Sequence, residues 1–358
     1  MDTEDGEDRL SSLPEGLLED ILFYLPSRDA VRTSVLARRW RTVWKSVRAL
    51  RVMESESYQS ANELNGFVNN MLLLRETLPL NVVEIKSYHE SFDEDHNFES
   101  LRYIEHWVRY AFLREVKALR LYIMDVDVML PDKLLTSSKL EKLELTRVVS
   151  EGPTLDFSSC PLLNDLKMEF CNLLVDKITS PSIAHLSVTY CCFKSVGRTR
   201  ISTPNLVSLQ LVDCRERTPL LESMPKPVSA FVRLCNRSDC CDKSYEIGDC
   251  GDNSCKGCPG STGNSPSILL QGLSCAANLE LTAKKTVFVF RRDLTRCPIF
   301  SKLKTLLLNG WCLTRNFDAL VCFLQHSPAL EKLILQLPEV RICCVMIYLL
   351  ELSFNGVF

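Results

Sequence analysis

Leu163-Asn164-Asp165-Leu166-Lys167-Met168-Glu169-Phe170-Cys171-Asn172-Leu173 is the stretch on which the reading of this chain turns. Leu163, Leu166 and Met168 follow the order apolar, two others, apolar, one other, apolar, which a short strand with one buried face produces. Cys171 stands where such a strand must bend, and Leu173 is apolar again. The phrase recurs as Val116/Leu119/Leu121, Leu140/Leu143/Leu145, Ile183/Leu186/Val188, Leu206/Leu209/Leu211, Leu303/Leu306/Leu308 and Leu330/Leu333/Leu335. Cys191 and Cys214 hold the place of Cys171 in the two copies that follow it.

Counted from Val116, successive starts up to Leu206 lie 24, 23, 20 and 23 residues apart, and Leu303 and Leu330 lie 27 apart. These intervals fall within the roughly 20 to 29 residues of leucine-rich repeats. One such unit buries its leucines only against its neighbours, so stacking predicts an α/β solenoid, a horseshoe with one strand per repeat on its inner side. Pro161, Pro181, Pro204 and Pro328 precede strands and set the entering backbone. A small buried cysteine at each bend needs neither catalysis nor a bridge. Side chains between the leucines point outward, and Lys142, Glu144, Asp165, Lys167, His185, Ser187, Ser208 and Gln210 are the candidates for binding a target protein, with Glu169 and Lys332 beside them.

Between Val212 and Leu279 the rhythm breaks, and Cys235, Cys240, Cys241, Cys250, Cys255 and Cys258 crowd into a segment rich in Gly, Ser and Asp at about 235–265. Cys255-Lys256-Gly257-Cys258 has knuckle spacing, and Cys240 or Cys241 with Cys250 would complete four thiolates for zinc. The spacing of the first pair matches no known finger, and low apolar content favours a disordered insertion that holds no metal.

At the other end, Ser12-Leu13-Pro14-Glu15 opens a helix with a hydroxyl at the cap and proline in the first turn. Leu17, Leu18, Ile21, Leu22 and Leu25 follow at helical spacing until Pro26. A second start at Ser27-Arg28-Asp29 continues through Ala30, Val31, Ser34 and Val35, and Leu36, Trp40 and Trp44 carry a third helix. About forty residues cannot build a self-sufficient core, yet apolar side chains occupy more than one face, so a partner should cover the surplus. Arg28, Arg32, Arg38, Arg39, Arg41, Lys45, Arg48 and Arg51 oppose only Asp29 there, which suits an acidic partner.

The segment from Asp8-Arg9-Leu10-Ser11-Ser12-Leu13-Pro14 to Arg38-Arg39-Trp40-Arg41-Thr42-Val43-Trp44 resembles the F-box in its plant form, with the Leu-Pro start, leucine pair, Leu25-Pro26 close and Arg-Arg-Trp end in order. Ala37 departs from the serine more common there. The resemblance implies that Leu13, Pro14, Leu17, Leu18, Ile21, Leu25, Val35, Leu36 and Trp40 face a Skp-family adaptor, which links the chain to a cullin ligase scaffold. The whole chain is similar to plant F-box proteins with leucine-rich repeats, and Asn309-Gly310-Trp311-Cys312 and Ser327-Pro328-Ala329-Leu330-Glu331-Lys332-Leu333 fit their late repeats. Many such relatives continue into a domain called FBD; Pro338 to Phe358 departs from that pattern, which suggests a shortened isoform. The resemblance implies a substrate-recognition subunit of an SCF (Skp–cullin–F-box) ubiquitin ligase, non-catalytic and without a cofactor; the alternative is a repeat scaffold that recruits no ligase.

The expected organisation is therefore an F-box at 8–50, a connecting helix and strand unit at 51–115, repeats at 116–337 and a divergent apolar tail at 338–358. Within the connecting unit Phe67, Met71, Leu72 and Leu74 suit a helix, Val82, Val83 and Ile85 a strand, Ile104, Trp107, Val108 and Ala111 a second helix, and Glu90 to Glu99 a loop. Net charge of −3 gives no general reason to expect nucleic acid. The longest apolar run, Ile342 to Leu350, is far short of a membrane span. An acidic start without a secretory signal, and 17 cysteines best read as small hydrophobes, place the chain in the nucleus or cytoplasm. His89, His96, His106, His185 and His326 are scattered, and no nucleophile and base, carboxylate pair or phosphate loop suggests an enzyme.

Overall fold

The computed structural model describes residues 13–53, 58, 60–87, 94–123, 128–129, 136–195, 197–222, 224–234, 269–283, 288–294, 296–313, 317–338 and 347–353. The chain divides into two compact units, Met1–Val128 with Thr136–Arg147, and Met129–Leu135 with Val148–Phe358. The stretches expected as 8–50 and 51–115 thus share one unit with the first repeat strands. The cysteine-rich insertion, with Cys240, Cys250, Cys255 and Cys258, lies outside the described residues.

The first unit opens with α1 (Glu15–Phe23), α2 (Ser27–Arg32), a 3-10 turn (Thr33–Val35) and α3 (Trp40–Ser46). It continues with β1 (Ala49–Met53), α4 (Ala61–Leu74), β2 (Val82–Ser87), α5 (Glu94–Leu113) and β3 (Ala118–Ile123); the two-residue β4 (Val128–Met129) straddles the division, and β5 (Lys142–Thr146) completes the unit. Pro14 is not inside α1 but occupies its N-cap, with extended backbone and no side-chain cap; Ser12, the expected cap, lies outside the described residues. Ser27 does not cap α2 either, since Pro26 takes that place and the Ser27 hydroxyl instead accepts the Arg51 N–H at 2.9 Å. A side-chain cap does start α4, where Ser60 Oγ accepts the Glu63 N–H at 3.2 Å. The expected loop at Glu90 to Glu99 is helical from Glu94 onward, as the first turns of α5.

Strands β1, β2, β3 and β5 are parallel, with Leu50, Val83, Leu119 and Leu143 in one register row and Val52, Ile85, Leu121 and Leu145 in the next. All eight are 3% exposed or less, which makes these rows the core of the ladder. The repeat phrase therefore begins at Val47/Leu50/Val52 and Leu80/Val83/Ile85, two copies ahead of Val116.

The second unit holds β6 (Val148–Asp156), β7 (Asp165–Glu169), β8 (Asn172–Thr179), β9 (His185–Thr189), β10 (Cys192–Phe193), β11 (Arg200–Ser202), β12 (Ser208–Val212), β13 (Arg215–Glu216) and β14 (Leu220–Leu221). After these come β15 (Ser229–Leu234), β16 (Asn278–Ala283), α6 (Phe288–Leu294), β17 (Thr305–Asn309), a 3-10 turn (Gly310–Cys312), α7 (Asp318–His326), β18 (Lys332–Pro338) and β19 (Ile347–Ser353). Its main ladder runs β7-β9-β12-β15-β16-β17-β18-β19, parallel until β19, which returns antiparallel along β18. The apolar tail thus supplies a closing strand from Ile347. A second sheet, absent from the sequence reading, is organised around β8, which pairs with β6, β10 and β11, while β13 joins β10 and β14 joins β11. Two ladder strands fill the apparent interruption, β15 as Ala230/Val232 and β16 as Leu279/Leu281.

A repeated corner connects the two sheets. Phe170, Tyr190 and Asp213, each directly after a ladder strand, adopt left-handed backbone at φ 54, 56 and 49, and Cys171, Cys191 and Cys214 follow them, all buried. The Cys171 and Cys191 thiols donate to the carbonyls of Glu169 and Thr189 at 3.5 and 3.4 Å. Burial pushes the Cys191 thiol well up, so it stays a neutral donor. The prolines act one step earlier than their strands: Cys160, Thr203 and Ser327 precede them, and their carbonyls accept the backbone N–H groups of Leu163, Leu206 and Leu330 at 3.1, 3.1 and 3.2 Å.

Candidate functional site

In α1 the apolar residues divide between two faces. Leu18 and Leu22 are 0% and 1% exposed and belong to the core with Trp40, Val43 and Trp44, whereas Leu17 and Ile21 are 49% and 42% exposed. Val35 and Leu36, in and after the 3-10 turn, are 84% and 63% exposed, and Tyr24 is 74%. Pro14 is exposed as well, and Leu13 and Leu25 are half-buried. Leu18 and Trp40, expected on the outward face, are enclosed instead, because a helix this small needs one stripe and both tryptophans to pack on the rest of its unit. So many large apolar side chains left in water within one short segment is the mark of a surface that another protein covers.

The helices are held rigidly beneath that surface. Ser46 Oγ donates to Glu19 Oε1 at 2.8 Å, tying α3 to α1. Arg75, at the end of α4, donates to the carbonyls of Trp44 and Val47 and so satisfies the C-terminal end of α3; burial lowers its pKa. Arg51 donates from Nε to the Phe23 carbonyl at 3.1 Å and forms a partly buried ion pair with Glu84. Arg51 is therefore an internal clamp rather than part of a partner-facing basic set. Arg28, from the same set, lies over the Tyr58 ring at 4.3 Å. Arg32, Arg38, Arg39, Arg41 and Arg48 remain exposed.

On the outward strand face of the first unit, charge alternates along one register row, Arg51, Glu84, Arg120, Glu144. Arg120 meets Glu144 at 3.2 Å, Lys142 meets Glu144 at 2.7 Å, and Lys86 meets Glu84 at 2.8 Å. Burial alone would raise the Glu84 carboxyl, but the Lys86 hydrogen bond and charge, with Arg51 and Arg120, hold it below the usual carboxylate range. Lys142 and Glu144 are thus already paired to each other.

In the second unit Asp165, His185 and Ser208 share one row, and Lys167, Ser187 and Gln210 share the next. Several of these also have local partners: Asn164 donates to Asp165 at 2.8 Å, Lys167 pairs with Glu169 at 2.9 Å, and Ser187 donates to Gln210 at 2.9 Å. The Lys167 row continues as Phe231, Glu280, Leu307 and Ile334, turning from polar to apolar. Burial raises the Glu280 carboxyl there, against the pull of Arg233. At the strand ends the rings of Phe170 and Tyr190 stack at 5.0 Å, and Arg233 pairs with Asp213 at 2.6 Å. None of these was singled out from sequence, although an aromatic directly before the corner cysteine recurs at Phe170 and Tyr190 and could have drawn notice.

Among the described residues no helix is long and apolar enough to cross a membrane. Residues 10–51, which contain the apolar helical surface, match the F-box domain. Over 361 residues the chain is 30% identical to the meiotic F-box protein MOF of Oryza sativa subsp. japonica, an alignment that covers 91% of this chain and 70% of the rice protein. An F-box/FBD/LRR-repeat protein of Arabidopsis thaliana is 24% identical over 360 residues, covering 92% of this chain and 79% of the relative. An FBD-associated F-box protein of the same plant is 26% identical over 280 residues, covering 66% of this chain and 58% of the relative. With the repeat ladder directly following the matched helices, this chain belongs to the plant F-box proteins with leucine-rich repeats.

Proposed function

We propose that this chain is the substrate-recognition subunit of an SCF ubiquitin ligase. Its F-box binds a Skp-family adaptor, the adaptor brings a cullin scaffold, and the repeats hold a target protein in the nucleus or cytoplasm. The observation that carries the reading is the exposure of Leu17, Ile21, Val35 and Leu36 inside the segment that matches the F-box. Covering such side chains supplies about 25 cal/mol for each Å² of apolar surface removed from water. The chain itself breaks and forms no bonds in this account; it raises the local concentration of target lysines near the loaded conjugating enzyme, so proximity is its contribution.

On the strand face the reading assigns target contact to outward positions such as His185 and Lys167, and to the apolar continuation at Phe231, Leu307 and Ile334. Tagged full-length chain recovered from plant cells should carry both adaptor and cullin. The pair Val35→Asp and Leu36→Asp should lose both together while keeping proteins bound to the repeats. Cullin recovery that is equal in the two preparations would contradict the assignment, and adaptor without cullin would favour a scaffold outside the ligase.

A further inference from the structure

Cys297, Cys322 and His326 come together in the second unit, their side-chain donor atoms all within 4.8 Å of one another. Cys322 and His326 stand one turn apart on α7 and so share a helix face. Their Sγ and Nδ1 atoms are 3.8 Å apart. Zinc–sulfur and zinc–nitrogen bonds in tetrahedral geometry set two such ligands about 3.5 Å apart, so the pair needs only a small adjustment to share an ion. Cys297 is brought in by a short segment anchored at both ends: the Arg296 N–H donates to the Asp293 carbonyl at 3.1 Å, and the Phe300 N–H to the His326 carbonyl at 2.8 Å. Asp293 is itself fixed, its carboxylate accepting the N–H groups of Leu269 and Leu270 at 2.7 and 2.9 Å. Beneath the site Phe300 packs on Phe323 with ring centres 5.6 Å apart. All three ligands are half-buried, which leaves a route for an ion and for a fourth ligand.

We propose that Cys297, Cys322 and His326 form a binding site for one zinc ion, completed by a water. Two soft sulfurs with one imidazole and no carboxylate suit zinc rather than magnesium or calcium. Loading releases the two thiol protons to solvent as two zinc–sulfur bonds form; the neutral His326 ring gives up its 2.9 Å Nδ1 contact to the Cys322 carbonyl and carries its proton on Nε2 instead, so that the Nδ1 lone pair forms the zinc–nitrogen bond. The ion would join α7 to the segment after α6, two successive outer connections of the repeat ladder. A site of this kind acts on stability, since a ligand that binds only the folded chain raises its melting temperature.

The test uses full-length chain stripped with a chelator under reducing conditions and titrated with zinc against a chromophoric competitor. Wild-type chain should take up one equivalent at this site and melt at a higher temperature when loaded. Cys322→Ser and His326→Ala should each weaken binding by more than the roughly 10- to 100-fold that losing an orienting partner costs. Replacing Cys255 and Cys258 with serine should leave that equivalent in place. Cobalt(II) in the wild-type chain should give a thiolate charge-transfer band that disappears when Cys297 and Cys322 are both serine. This readout stands even where a single variant folds poorly. The proposal is overturned if wild-type chain gives no such band, if the Cys297 and Cys322 double variant keeps its zinc, or if the two thiols are found joined as a disulfide in chain recovered from cells.

Discussion

Two carboxylates on outward strand positions are shifted in opposite directions, and the difference comes from the charges around them. Burial alone would raise Glu84, but the Lys86 hydrogen bond and charge, with Arg51 and Arg120 on either side, bring it below the usual carboxylate range, whereas Glu280 lies between Phe231 and Leu307, where burial raises it. The folded-state pKa of Glu84 is depressed, so its contribution to stability is present above the unfolded value and is lost as pH falls through the folded one. Glu280 has the reverse sign: its ionised form costs stability near neutral pH, and the cost disappears below the unfolded pKa, where both states are protonated. Melting curves should therefore show Glu84→Gln lowering and Glu280→Gln raising the melting temperature near neutral pH, with both differences fading in acid. A Glu280→Gln variant that melts lower than wild type near neutral pH would refute the burial argument. The sequence marks Glu144 as outward, because strand alternation requires it, but not Glu280, whose strand lies at the end of the apparent interruption. It does not say which charges pair, since that depends on the register between strands more than twenty residues apart.

At the scale of the helix, α1 separates two kinds of apolar residue that spacing alone treats alike. Leu18 fills the unit's core, and Leu18→Ala should cost about 2–5 kcal/mol in denaturant unfolding. Leu36→Asp touches only the surface and should change stability by no more than about 0.5 kcal/mol. Equal losses from the two substitutions would mean that the division between core and surface is wrong. The helices themselves were legible in the Leu-Pro boundaries and in the spacing of Leu17 to Leu25; which stripe faces inward was not, because that is decided by α3, β1 and the Arg75 clamp from α4. The repeat strands show the same limit. A large aliphatic residue or methionine at every phrase position announced β3, β5, β7, β9, β12, β17 and β18, while proline and alanine in Pro227/Ala230/Val232 and alanine at the start of Ala276/Leu279/Leu281 hid β15 and β16. The second sheet around β8 was hidden for another reason: its strands carry no leucine phrase of their own, and β8, β10 and β13 simply follow the corner cysteines.

For the whole molecule, the first unit joins the F-box helices to the opening repeat strands through partly buried polar contacts, Ser27 to Arg51 and Arg51 to Glu84. The surface offered to an adaptor is thus built on the same framework that starts the ladder. The most direct measurement is a calorimetric titration of the full-length chain with a purified Skp-family adaptor, beside the Val35→Asp and Leu36→Asp double variant. Saturable binding by the wild type at one adaptor per chain, lost in the variant with its melting temperature unchanged, is the predicted result; a folded wild-type chain that releases no heat, or a variant that binds as well as the wild type, would contradict the account.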